Sequence, residues 1–278
     1  MLSPAAVGSI SAAVAMVVCL LAFATEPGMR VDAAVFWALT EAGIPQLRSG
    51  IEGIVLLAGP SAFALIGSAL TLAALARPRT TLAVIVPIVL VAANATTQGL
   101  QDVIPALVDR PVVGADFATA WPSGHATAAM SLALCGMLVV SPLLRPAAAM
   151  LGAAYAVAVG YAQIALGNHL PSEVLGGYLI AASFALLGVA VQCALKTHRP
   201  GHAWTHYHLM PSMAAPAIGA LAVLLVACVA VVATDPDSAR ITQHIPALAL
   251  GSGIAALGVL LITGMRISLP QGEQTRSG

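Results

Sequence analysis

The sequence predicts an all-α, polytopic membrane protein, on three observations. Apolar residues make up 59% of the 278-residue chain and charged residues only 8%, with a mean hydropathy of +0.95. Soluble domains carry about 25% charged residues, so no water-facing surface can be assembled from this composition. The apolar residues fall in continuous runs rather than alternating, which selects helices over a β-barrel in lipid. Lys plus Arg and Asp plus Glu both total 11, for a formal net charge of zero. That balance leaves no basic footprint for a nucleic acid, and the composition excludes a soluble enzyme or a disordered chain.

Taken in order, eight apolar segments are predicted as helices: 4–25, 51–76, 81–106, 124–144, 146–167, 172–195, 213–234 and 247–265. A span needs about 20 apolar residues, and each segment is near that length. In the first, Ala22-Phe23-Ala24 has the small-residue form of a cleavage site, but residues 1–4 lack a basic n-region. A retained helix is therefore expected. Residues 26–50 read as a long mixed loop, which Val35, Phe36 and Trp37 place at the outer interface. Segments one to six span residues 1–195. A His-rich loop at 196–212 follows, then a C-terminal helix pair and tail at 213–278.

Loop charges set the orientation. With both termini cytoplasmic, the inside holds Arg77, Arg79, Arg145, Lys196, Arg199, Arg266 and Arg276 against one acid, Glu273. Arg30, Arg48, Arg110 and Arg240 fall outside, so basic residues favour the cytoplasm as the positive-inside rule requires. Cys19, Cys135, Cys193 and Cys228 each stand alone in an apolar run and read as packing residues.

Three polar stretches share the outer face in this topology: Asp109-Arg110-Pro111, Pro122-Ser123-Gly124-His125 and His169-Leu170-Pro171-Ser172-Glu173. Ionisable groups at membrane depth are expensive and usually functional, so three such groups at one face matter more than any alone. Ser123 before Gly124 can cap a helix and leave backbone N–H groups open to phosphate, aided by the helix dipole. Arg110 offers a permanent cation that can hold two phosphate oxygens. Glu173, four residues after His169, can accept a proton from one ring nitrogen and fix the other as a lone pair ready to attack. His125 can donate the leaving-group proton, since imidazole titrates near neutrality. These parts describe phosphoryl transfer through a phosphohistidine, with no metal and no cofactor. A helix start and a helical His–Glu pair worth a few tenths of a kcal/mol are the structural alternatives for each part taken alone.

Pro122-Ser123-Gly124-His125, His169-x-x-x-Glu173 and Arg110-Pro111 together resemble the type-2 phosphatidic acid phosphatase superfamily. These are integral lipid phosphate phosphatases, related in fold to vanadium haloperoxidases. The resemblance covers about residues 1–195 and implies a six-helix core. It implies that His169 is the nucleophile and His125 the general acid, with Arg110, Ser123 and Gly124 on the phosphate. Three positions depart from the family. Val103 stands where the family has Lys, Gln163 where it has Arg, and Glu173 where it has the shorter Asp. Gln163 retains a neutral donor toward phosphate. Gln101 lies near the Lys position, but two residues along a helix turn it by about 200°, so it is a poor substitute.

The expected function is hydrolysis of a lipid phosphomonoester or polyprenyl diphosphate at the outer face of the plasma membrane. The alternatives are a phosphoryl or headgroup transferase using the same site, and a degenerate lipid-binding accessory protein. The expected partners are the lipid phosphate or diphosphate substrate and membrane lipids, with no nucleic acid; no oligomeric state is readable. His198, His202, His206 and His208 form a cluster that reads as an amphipathic loop on anionic lipid rather than a metal site. Asn94, Thr96, Thr97, Gln98, Gln101 and Asp102 make the third helix polar, either to line a route to the site or to bond neighbouring helices. Trp121 is expected as an interfacial anchor or a cover for the headgroup.

Overall fold

A computed structural model describes residues 25–41, 48–76, 80–104 and 120–197, with scattered helical positions between 10 and 21. Among these residues every element is helical. They are α1 (Glu26–Glu41), α2 (Arg48–Leu56), α3 (Pro60–Leu75), α4 (Thr80–Val103), α5 (Gly124–Val139), α6 (Arg145–Ala165) and α7 (Pro171–Thr197). A 3-10 turn at Pro142–Leu144 precedes α6. Arg110, most of the His-rich loop and the two C-terminal segments lie outside the described residues.

Three helical stretches are long and apolar enough to cross a membrane: Thr81–Val103, Pro142–Ala165 and Pro171–Gln192. The α2–α3 pair makes a fourth if its two halves form one span. Val84, Ile88 and Val91 on α4 and Leu151 on α6 are exposed, the outward apolar faces that lipid requires. This is a membrane protein.

Three expectations are corrected. The segment 51–76 is not one helix: it breaks after Leu56 and bends by 46°. Pro60 begins the second half because it has no N–H to continue the ladder, and Gly59 precedes it in an extended conformation. The Tyr155 hydroxyl donates to the Leu57 carbonyl at 2.7 Å, giving a partner to a carbonyl freed by the break. The segment 124–144 ends as α-helix at Val139, since Val140 and Ser141 turn extended before Pro142. Residues 26–41 are helical rather than a loop, and Val35 and Phe36 are buried while Trp37 is exposed.

Helix α5 is the centre of the bundle, packed against α3, α4, α6 and α7. It is buried along nearly its whole length. Sixteen residues rise about 24 Å, less than the roughly 30 Å of hydrocarbon. A helix sheathed in other helices has no lipid face to match. Cys19 and Cys135 are buried, as expected of packing residues.

The polar half of α4 is explained by its neighbour. Asn94, Thr97 and Gln101 recur at helical spacing and meet polar partners along α5 and its approach. Asn94 Nδ2 donates to Ser131 Oγ at 3.4 Å, the Thr97 and Thr127 hydroxyls pair at 2.9 Å, and Gln101 Nε2 donates to the Pro122 carbonyl at 2.7 Å. These interhelical bonds satisfy groups that lipid could not. Thr96, Gln98 and Asp102 lie on the exposed side of α4.

Candidate active site

His169 lies in the short connection between α6 and α7, and both helix ends shape it. Gly167 has φ +76°, the left-handed conformation that ends α6. The Asn168 N–H donates to the Gln163 carbonyl at 3.0 Å and the Gly167 N–H to the Ile164 carbonyl at 2.9 Å. This bond pattern is a Schellman motif, and it directs the chain sharply away from α6. The His169 N–H also reaches the Gln163 carbonyl, at 3.3 Å. Beyond His169, Pro171 opens α7 with its φ already set for a helix.

Glu173, in the first turn of α7, reaches back over this connection. Its Oε2 accepts the His169 Nδ1–H at 2.8 Å and the Leu170 N–H at 3.0 Å, and its Oε1 accepts the Ala120 N–H at 3.1 Å. The Leu170 bond is the backward half of a capping box, in which a third-position Glu satisfies the N–H preceding the helix. Glu173 is fully buried and His169 is 8% exposed. The extra methylene of Glu relative to Asp does not break the bond to the imidazole. With Nδ1–H donated to the carboxylate, Nε2 holds the lone pair.

The Pro122-Ser123-Gly124-His125 element docks on the same helix start. The Ser123 N–H donates to the Glu173 backbone carbonyl at 2.9 Å, complementing the Ala120 bond to the Glu173 side chain. Ser123 caps α5, its hydroxyl accepting the Ala126 N–H at 3.4 Å. The N–H groups of Gly124 and His125 are thereby left at the open end of the helix. His125, half-buried, is close enough to His169 for the two imidazoles to interact electrostatically.

This docking depends on two residues that sequence reasoning passed over. A Cβ on Gly177 would stand 2.7 Å from the Ser123 carbonyl and 2.9 Å from Thr127 Oγ1. A Cβ on Gly176 would stand 2.7 Å from the Trp121 indole nitrogen. The Gly-Gly pair lets α7 and the start of α5 touch backbone to backbone. Trp121, 1% exposed, is therefore a core residue on Gly176, not an interfacial anchor or a headgroup cover. A Gly pair early in an apolar helix was the available signal for a close crossing.

Gln163 is buried near the C-terminal end of α6. Its Oε1 accepts from Asn168 Nδ2 at 3.0 Å, while its buried Nε2 has no hydrogen-bond partner among the described residues. An orphan buried donor costs about 1–3 kcal/mol, so the structure holds a donor whose acceptor is to be accounted for. Val103 is 53% exposed. Gln101, by contrast, is engaged with the carbonyls of Ala120 and Pro122, holding the approach to Ser123. The structure thus brings His125, Ser123, Gly124, His169 and Glu173 together, with Gln163 bonded into the same connection; Arg110 is outside the described residues. Among the described residues no three His, Cys, Asp or Glu side chains gather as a metal-ligand set.

Residues 108–199 match the family model of the PAP2 superfamily. The likeness to the PAP2 superfamily is confined to that segment, about a third of the chain. The matched segment contains Ser123, Gly124, His125, Gln163, His169 and Glu173. A solved structure of similar shape is the crystal structure of the first transmembrane PAP2 type phosphatidylglycerolphosphate phosphatase from Bacillus subtilis. It shares 20% sequence identity, covers 72% of this chain and 100% of that one, and has a TM-score of 0.49. No curated protein matches this chain.

Proposed function

We propose that this protein is an integral membrane lipid phosphatase that hydrolyses a lipid phosphomonoester or a polyprenyl diphosphate at the outer face of the plasma membrane. The observation that carries the reading is the buried 2.8 Å bond from His169 to Glu173, beside the capped N-terminus of α5. The match of residues 108–199 to the PAP2 superfamily model supports the reaction class.

In the proposed reaction His169 Nε2 attacks phosphorus, a P–N bond forms and the bond from phosphorus to the lipid oxygen breaks. Protonated His125 gives its proton to the departing oxygen. Neutral His125 then takes a proton from water, whose oxygen attacks phosphorus, breaks the P–N bond and releases inorganic phosphate from a lipid monoester. Glu173 orients the imidazole and balances its charge while the intermediate lasts. Arg110, Ser123 and the Gly124 N–H hold the phosphate oxygens, with the Gln163 amide as a further neutral donor. A diphosphate would leave the lipid monophosphate in place of the alcohol.

The test is phosphate release by purified protein in detergent with EDTA, comparing a polyprenyl diphosphate, phosphatidic acid and phosphatidylglycerol phosphate. Release lost in His169→Ala is the expected result. Release unchanged in that variant overturns the mechanism. Release from no lipid by the parent protein favours the accessory reading, and a phosphorylated alcohol formed from an added acceptor favours the transferase.

A further inference from the structure

Helix α1 lies across the connection that carries His169, touching both of its ends. Asp32, Phe36 and Thr40 recur every four residues and so share one helical stripe. At the near end of the connection, a Cβ on Gly167 would lie 3.4 Å from Thr40 and 3.8 Å from Phe36. At the far end, Asp32 Oδ1 accepts the Ser172 N–H at 2.9 Å and Asp32 Oδ2 accepts the Ser172 hydroxyl at 2.6 Å. Asp32 is buried, 140 residues from its partner.

The need for this acceptor is local. A helix start leaves its first N–H groups without intrahelical partners, and the preceding side chain normally accepts one of them. Here the preceding residue is Leu170, which has no acceptor. Glu173 serves the Leu170 N–H behind it, and the Ser172 N–H ahead is served from another helix by Asp32. The two carboxylates flank the connection, one on His169 and one on the turn that presents Glu173.

We propose that Asp32 is a positioning residue for the phosphatase reaction, acting through Ser172 to hold the first turn of α7 and hence the Glu173–His169 pair. This rests on the lipid phosphatase reading above. Asp32 does not touch the reacting atoms. It sets the angle at which the Glu173 carboxylate meets the imidazole, and thereby the aim of Nε2.

The test compares Asp32→Leu, which fills similar volume without an acceptor, with Asp32→Asn. The Asn amide oxygen can still accept the Ser172 N–H, and its NH₂ can meet the hydroxyl with donor and acceptor exchanged. Asp32→Leu is expected to lower kcat about 10- to 100-fold with KM within about twofold, as a small misplacement of an attacking group does. Asp32→Asn is expected to recover most of that loss. Val35→Ala, a packing loss on the same helix, should lower the thermal midpoint with kcat within about twofold of the parent.

Unchanged kcat in Asp32→Leu, equal losses in Asp32→Leu and Asp32→Asn, or an equal loss in Val35→Ala each overturn the proposal. If Asp32→Leu fails to fold, Ser172→Ala decides. It removes only the hydroxyl donor and is expected to lower kcat severalfold, so an unchanged kcat overturns the proposal. Absence of turnover in the parent defeats the phosphatase reading instead. The proton NMR signal of His169 Nδ1–H still tests positioning in that case: it should shift in Asp32→Leu and persist in Asp32→Asn.

Discussion

Glu173 accepts four hydrogen bonds in the site, three at its carboxylate and one at its backbone carbonyl. A neutral amide in its place could not accept from all three N–H donors, and its NH₂ would face at least one of them. The imidazole would then be free to adopt the other tautomer, with the lone pair turned away from phosphorus. Glu173→Gln is therefore expected to lower kcat by about 10³- to 10⁴-fold with the protein still folded, the scale of a wrong-tautomer defect in a comparable His–carboxylate pair. Phosphate release and a thermal melt check both halves of that statement.

In the proposed reaction His125 acts as the proton donor, and this fixes the sign of a pH dependence. Deprotonating His125 as pH rises removes the proton donor. The profile of kcat/KM should fall as pH rises and His125 loses its proton, and His125→Gln should lose that alkaline limb along with much of the rate. A parent profile flat at alkaline pH would contradict the role given to His125. Gln163 is tested separately. Gln163→Met removes the orphan donor but keeps the volume, and is expected to raise KM about 5- to 10-fold, the worth of one hydrogen bond. Stability should change little, since an unsatisfied buried amide is removed together with its bond to Asn168. An unchanged KM would place Gln163 outside the phosphate site.

At the scale of elements, two contacts of similar size should have separable effects. Gly177→Ala puts a Cβ into the Ser123 carbonyl, so α7 and the start of α5 must move apart. The expected loss is about 1–3 kcal/mol of stability together with about 10- to 100-fold in kcat, because the same shift displaces Ser123 from Glu173. Tyr155→Phe instead removes the donor that serves the broken α2–α3 pair, remote from the histidines in sequence and in its bonding. It is expected to cost about 1 kcal/mol with kcat unchanged. Paired melts and rate measurements on the two variants distinguish a helix crossing that builds the site from one that only builds the bundle. Neither contact was legible beforehand. The apolar run at 51–76 looks continuous until the Gly59-Pro60 step is given a geometry, and the Gly176-Gly177 pair gains meaning only when Trp121 and Ser123 are its neighbours.

For the whole molecule the test is sidedness. The outer site of the proposed function requires the connection between α6 and α7 to face away from the cytoplasm, and Arg145 at the start of α6 to face it. Ser49 on α2 and Ser141 before the 3-10 turn belong to opposite sides in that topology. In a cysteine-free background, Ser49→Cys should react with an impermeant thiol reagent added to intact cells, and Ser141→Cys only after lysis. The reverse pattern would put the site at the inner face and restrict its substrates to lipids exposed there.

Composition and periodicity were enough to determine a helical membrane protein, because lipid leaves the backbone few ways to satisfy itself. Local spacing was enough to point to His125, His169 and Glu173, because a capped helix start and a His–Glu pair four apart are interactions within one turn. Only the tertiary structure decided how those turns meet. Asp32 reads as one more acid in a loop until α1 forms and brings it to Ser172, and Trp121 reads as an interface residue until Gly176 receives it. Both outcomes depend on contacts between segments far apart in sequence. No local pattern encodes them, because the partner that satisfies a buried polar group or fills a glycine's gap is chosen by packing.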